Sequence, residues 1–266
     1  MSTFRRVATI SFNATLRTYL SGSNLFWIVA FPILLSFLIS LWLGSDGDTA
    51  VSRLGITYET PRGDQASREF VRVSKVFGVY LIFCFSTLLT RAGNVHDERR
   101  RGTLQRTLVA GVPYSEIVAA HLVSLILVGA LQAVIVLVGT GLLGTRWLAT
   151  GWGSVILPVA GTIFAASGIA LGIAGLLRNP GIVQLLAGGA PSILALMGGA
   201  FFPLDVAPAG VQRLAAVNPM YWAMEALSGG FVYSGWASQA APMAILFLFG
   251  VIGMVIGVQG LRRFEP

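Results

Sequence analysis

Four stretches of this chain, Ile117 to Leu143, Ser154 to Leu177, Ile182 to Phe202 and Pro242 to Gly260, are apolar enough and long enough to cross a bilayer as single α-helices. No other feature limits the fold so strongly. In hydrocarbon every backbone N–H and C=O needs a partner within the protein, and a helix supplies it inside the segment. Leu25 to Leu43 is another such stretch. As a helix it rises about 28 Å, close to the roughly 30 Å hydrocarbon core. Trp27 and Trp42 near its ends suit interface anchors, and Pro32 can kink it. Val76 to Thr90 is the core of one more. It is short, so Phe70 to Lys75 are expected to extend it into the outer interface. Only 11% of the residues are charged, against roughly 25% in ordinary soluble domains. Mean hydropathy is +0.77. The expectation is an all-α integral membrane protein, a single domain over residues 1–266, with six transmembrane helices at about 25–43, 70–90, 117–143, 154–177, 182–202 and 242–260.

Charge sets the orientation. Let the N-terminus, the 91–116 loop, the turn at 178 and the C-terminus be cytoplasmic. These segments hold Arg5, Arg6, Arg17, Arg91, Arg99, Arg100, Arg101, Arg106, Arg178, Arg262 and Arg263, but only Asp97, Glu98, Glu116 and Glu265. They then carry the whole formal net charge of +7, and the outer segments are neutral. Excess Lys and Arg belongs in cytoplasmic loops, so both termini are expected inside, and the basic balance does not argue for nucleic acid. Arg68, Arg72 and Lys75 run against the rule at the outer end of the second span. Over residues 3–20, Arg6, Asn13 and Arg17 share one face. An amphipathic helix at the inner interface is expected there, rather than a signal peptide. Residues 44–75 read as a polar outer loop with a Pro61-Arg62-Gly63 turn, in which Leu54 to Glu59 suit a short strand. Cys84 is the one cysteine, so no intrachain disulfide forms. Gly168 with Gly172, and Gly253 with Gly257, make two GxxxG pairs, expected to serve packing within the chain.

One charged stretch, Arg91 to His121, stands between two apolar spans. Thr103 can cap a short helix, because its hydroxyl accepts from a first-turn N–H. Leu104 and Leu108 are four apart and share a face. Gly111 suits the left-handed residue after a helix, and Pro113 blocks continuation. Ser115 with Glu116 looks like the capped start of the next helix. The result is a short amphipathic helix on a charged turn, suited to gripping another protein, or else a solvated loop that only fixes topology. Glu98, Gly102-Thr103-Leu104, Leu108, Pro113 and Ser115 resemble the cytoplasmic loop of ABC-2 type transporter permeases. In that family an acidic residue, a Gly-Thr-Leu and a later Pro surround the coupling helix that contacts the ATPase. The resemblance therefore implies an ATPase-coupling interface at Glu98, Arg99, Arg100, Gly102, Thr103, Leu104, Leu108 and Pro113. Where the family often has Gly-Lys, this chain has Ala120-His121.

A second signature lies between the fifth and sixth spans, from Gly198 to Leu227. Pro203, Pro208 and Pro219 break it too often for a span. It suits short re-entrant helices that dip into the outer leaflet and return. Phe202-Pro203-Leu204, Pro208, Gln212, Asn218-Pro219, Tyr221 and a later Ala-Leu resemble the extracellular signature of the same family. Ser228 stands where an Arg often follows. Glu225 lies in this apolar segment. A carboxylate at membrane depth calls for a partner or a role, and a place at the water interface would also satisfy it.

Several chemistries lack their residues. A P-loop needs Gly-Lys-Ser/Thr, but Lys75 is the only lysine and Ser74 precedes it. No catalytic or metal-ligating set is expected: His96 and His121 are far apart, and there is no HExxH or cysteine cluster. Ser154 and Ser167 lack a nucleophile-elbow context, which argues against an intramembrane enzyme. A secondary transporter would show inverted repeats or mid-membrane charges. The resemblance implies instead a non-catalytic permease subunit of an ABC exporter in the plasma membrane. It works as two permeases with two ATPase subunits, and those subunits bind the ATP and Mg. Relatives handle drugs, antibiotics, lipid-linked molecules and ions. The apolar spans point to an amphipathic or hydrophobic cargo.

Overall fold

A computed structural model describes residues 26, 30–42, 64–102, 106–107, 109, 111–142, 145, 151–177, 179–201, 204, 207–232 and 236–262. The interfacial helix expected over 3–20 and the strand expected at Leu54 to Glu59 lie outside these residues. Every described element is a helix: α1 Phe31–Trp42, α2 Asp64–Arg100, α3 Tyr114–Leu142, α4 Gly153–Leu176, α5 Pro180–Met197, α6 Ala209–Ala215, α7 Pro219–Val232 and α8 Trp236–Arg262. Among the described residues, five stretches are long and apolar enough to cross a membrane: Val73–Gly93 of α2, α3, α4, α5 and Ala237–Arg262 of α8. The expected first span is described as a helix from Phe31 to Trp42. The Phe31 ring meets Phe83 of α2 edge-on at 5.5 Å.

Helix α2 extends past both ends of the expected 70–90 span. It runs unbroken from Asp64 to Arg100, about 55 Å at 1.5 Å per residue, so it passes well beyond its apolar window at both ends. The last third of the expected outer loop is therefore helix. Charge marks where lipid ends, but Gln, Arg, Glu and Lys are good helix formers and do not stop a helix. Likewise α8 begins at Trp236, upstream of Pro242, which lies inside it.

The core forms around α2, whose Val73, Val76, Phe77, Leu81, Cys84 and Leu88 are fully buried. Helices α4 and α8 pair most closely. A Cβ on Gly168 would lie 2.1 Å from the Gly250 carbonyl oxygen, and one on Gly260 would lie 2.3 Å from that of Gly175. Both expected GxxxG pairs sit on this seam, facing each other within the chain, and small residues there let the two backbones touch. Phe164 and Phe247 stack beside it at 5.0 Å.

Prolines inside spans are tolerated because other helices repair them. Pro191 has no N–H for the Ala187 carbonyl, and Ser86 of α2 donates to that oxygen at 2.6 Å. Pro158 leaves the Ser154 carbonyl free, and Gln239 Nε2 of α8 donates to it at 3.3 Å.

Candidate functional site

The first signature follows α2 where it leaves the membrane. Glu98, Arg99 and Arg100 form the last turn of α2. Gly102 ends it at φ 70°, a conformation glycine adopts without strain. The Arg106 N–H then donates to the Gly102 carbonyl at 3.1 Å. Gly111, at φ 80°, and the Val112 N–H on the Thr107 carbonyl at 3.3 Å form the expected left-handed stop. Pro113 follows, and its carbonyl accepts from Glu116 and Ile117. Helix α3 thus opens at Tyr114, which puts Ser115 inside the first turn rather than at its cap. Thr103, Leu104 and Leu108 lie outside the described residues. Val109, which sequence reasoning passed over, is 90% exposed, and Arg101 and Arg106 are exposed with it.

The helices on either side of this turn share a small apolar cluster. Val95 of α2, Val118 of α3, Leu171 of α4 and Leu261 of α8 are buried together, with Tyr114 and Val258 packed against them. Arg91 Nη2 also donates to Ser124 Oγ at 3.1 Å, which ties α2 to α3. Packed side chains thus join the helices flanking the turn to α4 and α8.

The second signature builds a hairpin. Helix α5 ends with Gly199 at φ 80°, and Ala200 N–H donates to the Ala195 carbonyl at 3.1 Å. Gln212 Nε2 donates to Leu204 and Ala207 at 3.1 and 3.0 Å, folding the turn before Pro208 onto α6. Asn218 is buried. Its Oδ1 accepts from Met220 N–H at 3.0 Å, which caps α7, and its Nδ2 donates to the Leu194 carbonyl of α5 at 2.6 Å. Pro219 takes the first helical position, where no N–H is needed. Tyr221 meets Trp222 edge-on at 5.0 Å, and Trp222 Nε1 donates to Ala216. Glu225 is exposed on α7. Leu204, Pro208, Gln212, Asn218, Pro219 and Tyr221 thus join in one hairpin, while Phe202 and Pro203 lie outside the described residues. The hairpin's far end is tied to α4 and α8: Ser154 Oγ donates to Gly230 at 3.1 Å, Ser238 Oγ to Gly229 at 2.8 Å and Gln239 Nε2 to Ala226 at 2.9 Å. Gly229-Gly230 and Gln239 were visible in the sequence only as small or polar residues between the expected fifth and sixth spans.

Known proteins resemble this chain. It is 30% identical over 196 residues to the linearmycin resistance permease protein LnrN of Bacillus subtilis (strain 168), an alignment covering 71% of this chain and 49% of that protein. The chain thus spans about half the length of the curated relative it matches. The model of the ABC-2 type transporter family matches residues 6–232, a range that holds both signatures. By that match, the chain belongs to the ABC-2 type transporter family, as one of its multi-pass membrane subunits.

Proposed function

We propose that this chain is the non-catalytic permease of an ATP-driven exporter, powered by a separate ATPase that binds ATP and Mg. One observation carries this reading: the capped turn between Gly102 and Pro113. It presents Val109 beyond the apolar window of α2, and the helices that flank it share a cluster with α4 and α8. Leaving apolar side chains such as Leu104, Leu108 and Val109 in water costs about 1.5–3 kcal/mol each relative to full burial, so a groove on the ATPase gains by covering them. Glu98, Arg99 and Arg100 steer the encounter. Exposed ion pairs there contribute only about 0–1 kcal/mol.

Two permeases and two ATPases form the working unit. Helix α5 presents Ile182, Leu185, Ile193 and Leu196 outward, beside Gly188 and Gly189 with open space at their Cβ positions. This face suits a second permease. Six spans with both termini cytoplasmic place the coupling turn inside and the α6–α7 hairpin re-entrant from the outer face of the plasma membrane. The cargo has a large apolar part. The name of the linearmycin resistance permease supports a cargo of antibiotic type.

The test is reconstitution. Proteoliposomes holding the chain and the ATPase encoded beside it should move an amphiphilic antibiotic only with ATP. Export driven by an ion gradient without the ATPase would show a secondary transporter instead.

A further inference from the structure

Lys75 is the only lysine of the chain and the third residue of the membrane-crossing stretch of α2, at its end. A lysine near a span end can send its ammonium to the water interface, so its bond to another helix's backbone instead points to a role. Its Nζ donates to the Phe201 carbonyl, just past the end of α5. Among the described residues this is the one hydrogen-bond partner shown for it. One turn along the same face of α2 is Gly78. A Cβ there would lie 2.8 Å from the Ala200 Cβ and 3.1 Å from the Ala200 carbonyl oxygen. Lys75 and Gly78 therefore form a seat on α2 for the segment Ala200–Phe201.

The opposite side of the same turn is held by the α6–α7 hairpin. A Cβ on Gly198 would lie 2.9 Å from the Tyr221 nitrogen and 3.0 Å from Asn218 Nδ2. Asn218 also bonds the Leu194 carbonyl. The exit from α5 is thus clamped between α2 and α7. The α7 side is fixed by a neutral amide that also caps its own helix. The α2 side is fixed by a charge on a flexible stem, which can release and find water.

We propose that Lys75 is the latch of the outer seal. Its ammonium holds the Gly198–Phe201 turn on α2 while the path is shut, and lets it go when α2 and α5 part. It is a positioning residue that acts through the turn and needs no contact with cargo. Placing this turn at the outer face rests on the exporter topology above. The latch itself is a statement about two helices and can be measured without the ATPase.

The experiment uses the full-length permease with Cys84→Ala and a reporter cysteine, Phe201→Cys, which keeps the backbone carbonyl. A polar maleimide is added to membranes open on both sides, so the result does not depend on which side the turn faces. Lys75→Met should raise the labelling rate at position 201 about three- to eighteenfold, the range expected for losing an interhelical hydrogen bond. Lys75→Arg, which keeps a cationic donor, should stay near the rate of the parent with Lys75 intact. Trp152→Cys, at the start of α4, should label equally in all three backgrounds. Equal labelling of position 201 in the parent and in Lys75→Met overturns the latch. So does labelling in Lys75→Arg as fast as in Lys75→Met, or a Lys75→Met variant that also speeds labelling at position 152, which would indicate general loosening.

Discussion

The hydroxyl of Ser86 lies 2.6 Å from the carbonyl oxygen of Ala187, the oxygen that Pro191 deprives of its helical partner. The two helices are joined where one of them is broken. Ser86→Ala leaves that carbonyl unpaired in a spanning helix. A loss of about 0.6–1.7 kcal/mol is expected, read as a lower unfolding midpoint in detergent. Ser86→Thr keeps the hydroxyl and should restore most of it.

The seam of α4 and α8 leaves no room for a side chain. A Cβ on Gly253 would meet the Gly168 carbonyl carbon at 2.4 Å, with backbone rather than a flexible tip in the way. Gly253→Ala should cost about 1–3 kcal/mol by overpacking, and Gly253→Leu should abolish a monodisperse peak in size-exclusion chromatography. Gly188→Ala is the contrast. Nothing lies within 4 Å of its Cβ, so the chain alone should gain up to about 1 kcal/mol of helix propensity.

Asn218 does two jobs with one amide, capping α7 and holding α5. Asn218→Ala should lower stability by about 1–2 kcal/mol. Asn218→Asp keeps the cap acceptor but sets a buried carboxylate oxygen against the Leu194 carbonyl, so its unfolding midpoint should fall at or below that of the Asn218→Ala variant.

Apolar length made the spanning helices legible, and the Gly111-Pro113 stop and the proline breaks at 208 and 219 were legible as local backbone chemistry. What the sequence hid was the pairing of helices. Nothing in the order of residues says that Ser86 faces Ala187, or that Gly168 meets Gly250, because those contacts join segments far apart along the chain. The reach of α2 past the membrane was hidden for another reason. Arg91 to Arg100 signal water, and water does not end a helix with good formers. Val109 escaped notice because the leucine pair beside it fitted a helical face better.

Orientation has its own check. A reporter enzyme active only outside the membrane, fused after Pro266, should be silent, because the segments proposed to be cytoplasmic hold the +7 excess. Strong activity would reverse the proposed topology, and the coupling turn would then face away from ATP.

The most direct measurement is of the grip itself. Leu104→Asp with Leu108→Asp, and separately Val109→Asp, should leave the permease in the membrane at near-normal abundance, since no span is altered. Each should lose the partner ATPase on affinity purification of the permease. Losing even one full apolar burial of about 1.5–3 kcal/mol weakens binding at least tenfold, and ATP-driven export should fall with it. Arg99→Ala and Arg100→Ala should be milder. If the double aspartate variant still brings down its ATPase and exports at the wild-type rate, the turn between Gly102 and Pro113 only fixes topology, and the coupling mechanism is contradicted.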